Sequence, residues 1–175
     1  MIETKRLIIR KFVPEDWKDL YEYLSLEEIY TFEPGKPIKM EEAKQMAANR
    51  SFEDAFFAVM LKESEKMIGH LYFSHVDPLE FLTWELGFIF NPEYQRQGYC
   101  TEASKALIDH AFFHWNTHRI TAYCNPNNVA SWKVLEKIGL KREGFFEKKA
   151  FFRRDENNQP IWHDCYAYGK LRDEV

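Results

Sequence analysis

Apolar and polar positions along this chain change period several times, and each change marks an element. Trp84, Leu86, Phe88 and Phe90 alternate with Glu85, Gly87 and Ile89, the period of a strand with two different faces. "RLIIR" (Arg6 to Arg10), Phe56 to Lys62, Met67 to Val76 and Arg119 to Cys124 also read as strands. The polar "ESEK" between the second and third of these predicts a hairpin. Trp17, Leu20, Tyr21 and Leu24 follow Pro14, Glu15 and Asp16 at helical spacing, with proline at the helix start where its missing N–H costs nothing. "KMEEAKQMAANR" predicts a second helix. Thr101 to Trp115 predicts a third, with Leu107, Ala111 and Trp115 on one stripe. Asn128 to Ile138 predicts a fourth, ended by Gly139. Strands Lys141 to Phe152 and Trp162 to Leu171 close the chain around the turn-rich "DENNQP".

The order is β-α-α-β-β-β-α-β-α-β-β. Hairpins come first and strand–helix alternation later, which predicts an α/β (α+β) fold with a mixed sheet of about seven strands flanked by about four helices. A chain of 175 residues suits one domain, Met1 to Val175. Its 45% hydrophobic and 17% aromatic content is that of a folded protein. The longest apolar run, Ala55 to Leu61, falls far short of the roughly 20 residues of a membrane span. The N-terminus lacks the long apolar stretch of a signal peptide, so no membrane and a cytoplasmic location are expected. Cys100, Cys124 and Cys165 form no CxxC pair, which fits free thiols in a reducing compartment. A net charge of −4 speaks against nucleic acid, whose binding needs a basic footprint.

The candidate chemistry begins at "NPEYQRQGYCTEA" (Asn91 to Ala103), a polar turn between the clearest strand and a helix. The first turn of a helix leaves backbone donors unpaired, and its dipole is positive there. Gly98 has no Cβ to keep an anion away. Together these suit a phosphate or pyrophosphate. Neither GxxxxGK[ST] nor GxGxxG occurs, so nucleotide-triphosphate and dinucleotide loops are not indicated.

What remains, Gln95-x-x-Gly98-x-Cys100, resembles the coenzyme A pyrophosphate loop of the GNAT N-acetyltransferases, Q/R-x-x-G-x-G/A. The likeness extends along the chain. "ETKRLIIR" is similar to the first strand of the RimJ/RimL-like branch, whose members acetylate protein N-termini, and "EDW" to the start of its first helix. "WELGFIFNPEYQRQGYCTEA" resembles its central strand, loop and helix; "NPNNVASWKVLEKIGLKREG" its later helix; "HDCYAYGKL" its last strand. One departure is Cys100, where the family has Gly or Ala. As a small hydrophobe it reads as a buried space-filler; a helix N-terminus would instead lower its thiol pKa.

The resemblance implies direct attack of a primary amine on acetyl-CoA, with acetyl-CoA as cosubstrate and no metal. Cofactor contacts are then expected from Gln95, Arg96, Gln97, Gly98, Tyr99, Cys100 and Thr101, from backbone N–H groups at Ile89 and Phe90, and from Asn128, which also reads as a helix N-cap. Glu85, opposite the Trp84–Leu86–Phe88 face, is the candidate base, or else binds the substrate ammonium or a cross-strand partner. Ser131 shares a helix stripe with Val134, Leu135 and Ile138. It is the candidate donor to the coenzyme sulfur, or else a hydroxyl satisfied by its own turn. The acceptor is expected to be a protein N-terminal α-amine of ribosomal-protein type. A small amine (polyamine, amino acid or aminoglycoside) and a non-catalytic CoA-binding module are the alternatives, and the protein is expected as monomer or homodimer. The Pro-Gly loop after Tyr30 and Phe32 is where acceptor choice is expected. His110, His114 and His118 lack the further ligands of a metal site, and Phe151 and Phe152 read as packing.

Overall fold

The computed structural model describes residues 1–174. One eight-stranded sheet runs through it in the order β1-β2-β3-β4-β5-β6-β8-β7. The strands are β1 (Ile2–Glu3), β2 (Leu7–Lys11), β3 (Phe56–Leu61), β4 (Lys66–Val76), β5 (Thr83–Phe90), β6 (Arg119–Cys124), β7 (Lys141–Arg154) and β8 (Pro160–Leu171). The helices are α1 (Trp17–Leu24), α2 (Met40–Phe52), α3 (Tyr99–His114) and α4 (Val129–Lys137). The expected mixed α/β architecture is present with one strand more than the pattern shows. At two residues, β1 is too short to alternate, and it exists through its pairing of Ile2 with Ile9.

Every neighbouring pair is antiparallel except β5 and β6, which run parallel. That pair is short. Thr83, Trp84 and Glu85 face Arg119, Ile120 and Thr121, and the pairing stops there, although β5 continues to Phe90 and β6 to Cys124. On its other edge β5 stays paired with β4 along its whole length, from Thr83 opposite Val76 to Phe90 opposite Gly69. The sheet therefore forks beyond Glu85.

The strand period sorts the side chains into two apolar layers. Leu7, Ile9, Val59, Leu71, Phe73 and Leu86 meet Leu107, Ile108, Ala111 and Phe112 of α3 and Leu135 of α4. On the opposite face, Ala58, Met60 and Met67 meet Leu20, Tyr23 and Leu24 of α1 and Ala47 of α2. Burial of such side chains stabilises by about 1.5–3 kcal/mol each.

Two helix starts differ from the sequence expectation. Pro14–Asp16 forms a 3₁₀ turn before α1, because the Asp16 carboxylate is engaged locally. It accepts from the Val13 amide at 2.9 Å and from both Arg10 Nη atoms at 2.7 and 2.8 Å. Helix α3 begins at Tyr99, two residues earlier than expected, because Gly98 serves as its N-cap at φ +81° and the Glu102 amide donates to the Gly98 carbonyl at 3.0 Å. No helix among the described residues is long and apolar enough to cross a membrane.

Candidate active site

The fork opens a cleft of about 380 Å³ that reaches from Arg50 of α2 on one face of the sheet to Ser131 and Leu135 of α4 on the other. Glu85, Gly87 and Ile89 of β5, His70 and Tyr72 of β4, and Ser131 of α4 all line it. The strand period explains this gathering. Phe56, Tyr72 and Gly87 lie opposite one another across three strands, as do Ser74, Glu85 and Thr121, so their side chains share one face. Glu85 sits where the parallel pairing ends, half-buried, and burial raises its carboxyl above the ordinary range. A carboxylate so placed is a stronger proton acceptor than one in water.

Ser131 enters from the first turn of α4. Asn128 caps that helix, its Oδ1 accepting from the Ser131 amide at 3.2 Å. The Ser131 hydroxyl lies against the Cys124 thiol, whose pKa is pushed up to about 11, mainly by burial.

The loop Gln95–Gly98 lies beyond the end of β5. Gln95 Nε2 donates to the Phe90 carbonyl at 3.1 Å and Gln97 Nε2 to the Glu93 carbonyl at 3.2 Å. Both side chains thus brace the loop, which leaves its contribution to a ligand to backbone amides. Arg96 and Gly98 both take positive φ, +59° and +81°, the conformation that L-residues avoid and glycine accepts. Arg6 is the residue that sequence reasoning missed here. Its Nη1 donates to the Gln97 carbonyl at 3.0 Å, and its guanidinium lies 4.3 Å from the Tyr99 ring centroid. It also pairs with Glu102. Burial alone would raise the Glu102 carboxyl, but hydrogen bonds from Thr4 and Arg6 outweigh it and hold the group below the usual range. An arginine at the start of a strand gave no sequence signal of reaching a loop ninety residues away.

Cys100 packs against the core as the space-filler reading expects, and the alternative of a lowered thiol pKa is not met. Protein packed around its thiol pushes the pKa up to about 12. The helix N-terminus does not activate it; desolvation of the thiolate dominates.

Two more cleft residues were not singled out in the sequence. Glu33, from the loop after Phe32, lines the cleft. It has no hydrogen-bond or ion-pair partner among the described residues, and burial alone raises its carboxyl to about 7. The loop itself was legible; its acidic residue was passed over for the aromatics. Tyr30 turns inward, donating to the Leu24 carbonyl at 2.9 Å. His70 Nδ1 lies 2.6 Å from the Tyr23 hydroxyl. Burial, then the nearby Arg50, depresses its pKa well below 6.5, so this histidine is neutral at pH 7.

The remaining aromatics and histidines pack with each other. The His110 and His114 rings are 4.5 Å apart on α3, and Phe151 and Phe152 lie against Trp162 and His163 in the β7–β8 hairpin.

The Q-x-x-G-x-C stretch forms the turn between strand and helix that the sequence implied, and the structure adds Gly98 as N-cap and the fork beside it. The Acetyltransferase (GNAT) domain matches residues 6–141. The chain belongs to the GNAT acetyltransferase family. Relatives cover it end to end. The N-acetyltransferase YnaD of Bacillus subtilis is 38% identical over 174 residues, 99% of this chain and 98% of that one. The crystal structure of a GNAT-family acetyltransferase from Bacillus anthracis superposes with a TM-score of 0.88 at 34% identity, covering 98% of each chain. The ribosomal-protein-S5-alanine acetyltransferase of Vibrio fischeri does so at 0.81 and 25% identity, covering 98% of this chain and 96% of that one. As a GNAT enzyme the protein is an N-acetyltransferase.

Proposed function

We propose that this GNAT enzyme transfers acetyl from acetyl-CoA to the α-amine of a protein N-terminus, by direct attack and in the cytoplasm where ribosomal proteins are made. The observation that carries this reading is the half-buried Glu85 at the mouth of the fork, sharing one cleft with Ser131.

The residues divide the work. The pyrophosphate of the coenzyme fits against backbone amides of Gln95 to Thr101, where Gly98 leaves no Cβ in the way and α3 is positive. Arg6 and Glu102 hold that loop in shape. The fork leaves the β5 edge near Ile89 and Phe90 unpaired with β6, so the pantetheine arm can add there as a strand does, with a backbone N–H polarising the thioester carbonyl. Asn128 orients α4 so that the Ser131 hydroxyl faces the leaving sulfur. The serine donates its proton or a hydrogen bond there, and Glu85 takes the proton of the incoming ammonium directly or through water.

Substrate chemistry sets how strong that base must be. An α-amine has a pKa near 7.7–8.0 against about 10.4 for lysine. The gap corresponds to about 3.4 kcal/mol of deprotonation cost. A single carboxylate moderately raised by burial matches the easier task. The Ser131 role requires the hydroxyl to leave Cys124, which a weak thiol partner permits.

The test is an acceptor screen on the purified protein with acetyl-CoA, following free thiol release. N-terminal peptides should be acetylated with higher kcat/KM than polyamines, aminoglycosides or lysine side chains. Turnover of the small amines alone would overturn the protein reading.

A further inference from the structure

Arg50 forms no ion pair among the described residues, and it stands inside the cleft that holds Glu85. It projects from the last turn of α2 and lines the same cleft as Glu85, Tyr72 and Phe56. Its Nη1 is sealed from water and has no hydrogen-bond partner among the described residues. The guanidinium rests 4.1 Å from the Phe56 ring centroid and 5.4 Å from that of Phe12. Aromatic faces attract a cation, but they accept none of its in-plane N–H bonds, and an arginine presents five.

Other arginines show the contrast. Arg6, Arg10, Arg119, Arg142 and Arg153 each hold a carboxylate; Arg50, with one nitrogen sealed away, holds none. The groups around it give no anion either. His70 is neutral and depressed by Arg50 itself. Tyr30 donates its hydroxyl to the Leu24 carbonyl. Glu53 draws on the charge from outside without forming an ion pair, across a shallow hollow that Arg50 also rims with Glu42 and Asn49. A guanidinium with a sealed, unbonded nitrogen is costly, and the cleft is the side on which an acceptor held at Glu85 would reach it.

Resting on the reading above, we infer that Arg50 is an acceptor-recognition residue that binds a carboxylate carried by the acceptor alongside its amine. Spacing says where that carboxylate lies. Phe56, Tyr72 and Gly87 stand opposite one another on β3, β4 and β5. At about 4.8 Å per strand Phe56 stands about 10 Å from Gly87, and about 12 Å from Glu85 two residues further along β5, where the amine is met. An extended peptide rises about 3.4 Å per residue. The carboxylate thus belongs to an acidic side chain at the second or third residue of the acceptor. Glu33 and Glu85 take the ammonium at one end and Arg50 the carboxylate at the other. A polyamine would bring a second ammonium against the guanidinium, so the same arrangement selects against it.

The experiment uses the intact protein, acetyl-CoA and N-terminal hexapeptides that differ only in Glu, Gln or Lys at the second or third position. Free glutamate, its amide and spermidine are further arms. The Glu peptide should exceed the Gln peptide in kcat/KM by at least about tenfold, the scale of one charge-assisted hydrogen bond, with the Lys peptide lowest. In Arg50→Gln the ratio should fall to near one, and Arg50→Lys should restore part of it. Acetyl-CoA affinity should stay at the parent's value in both variants. Peptides accepted regardless of charge, or a preference that persists in Arg50→Gln, would overturn the inference and leave N-terminal acetylation standing. Spermidine outrunning every peptide would overturn both. Free glutamate preferred over all peptides, with that preference lost in Arg50→Gln, would keep the carboxylate contact and overturn the peptide as its source. Should Arg50→Gln fail to fold, the peptide series on the parent protein decides alone.

Discussion

Glu33 gives a prediction whose size follows from its surroundings. Its carboxyl lies in the cleft with no partner, and burial moves its pKa from 4.5 to about 7. At 1.36 kcal/mol per pH unit that is about 3.4 kcal/mol, and solvent reaching the loop discounts it to about 2 kcal/mol. The folded-state pKa lies above the unfolded one, so the folded protein holds a proton that the unfolded chain has released. Stability therefore falls as pH rises from about 4.5, and the loss is complete above about 7. Glu33→Gln removes the ionisation while keeping size and hydrogen-bonding capacity. The variant should match the parent near pH 4.5 and exceed it by about 2 kcal/mol at pH 8. Urea unfolding at pH 5, 6, 7 and 8, with the slope m compared at each, reads the difference. A gap that is flat across this range would show that the carboxyl is not desolvated and would refute the reasoning. The same substitution should raise KM for a cationic acceptor, so the group that weakens the fold is the one that binds the amine.

Gly98→Asp puts a carboxylate among the amides at the start of α3. A Cβ there lies 3.5 Å from Arg6 Nη2, and aspartate tolerates positive φ, so the fold should survive. Repulsion from a phosphate at about 4 Å, about 1–4 kcal/mol depending on screening, should weaken acetyl-CoA binding at least about fivefold by calorimetry; unchanged affinity would remove the loop assignment. Glu85→Gln should slow acetylation most at low pH and least above the amine pKa, with acetyl-CoA binding intact, and a parent-to-variant rate ratio constant across pH would rule out proton transfer by Glu85. Asp16→Ala strips Arg10 of its two carboxylate hydrogen bonds and the Val13 amide of its acceptor. It should cost about 3–5 kcal/mol in urea unfolding, and a loss below about 1 kcal/mol would show the pair to be ornamental.

What could be read in the chain and what could not divides along physical lines. The alternation at Trp84–Phe90 placed Glu85 on the face opposite the apolar layer, where the structure has it, because strand period is a local property. Asn128 was legible as a cap for the same reason. Gly98 was legible as a turn, but its role as N-cap moved the helix start to Tyr99 because the capping group is backbone, not a polar side chain. Arg6, Glu33 and Arg50 were not singled out. Each acquires its meaning from something distant in the chain: the Gln97 carbonyl, the cleft, and the rings of Phe12 and Phe56. Cys100 was legible as a small hydrophobe; the alternative that its helix position lowers the thiol pKa is overruled by the protein packed around the sulfur, which no local pattern reports.

The fork between β5 and β6 has a mechanical side. Three residue pairs, Thr83–Glu85 with Arg119–Thr121, and the His118 and Arg119 amides donating to the Leu82 carbonyl just before them, make the backbone seam between a five-stranded sheet and a three-stranded one. The hydrophobic contacts of α3 and α4 bridge the two below that seam, while above it Leu86 to Phe90 and Ala122 to Cys124 run free of each other. The molecule is in this sense a pair of plates riveted at one end. Their spread is set by whatever lies between them, so amide exchange along Ala122 to Cys124 should report how firmly the gap is filled.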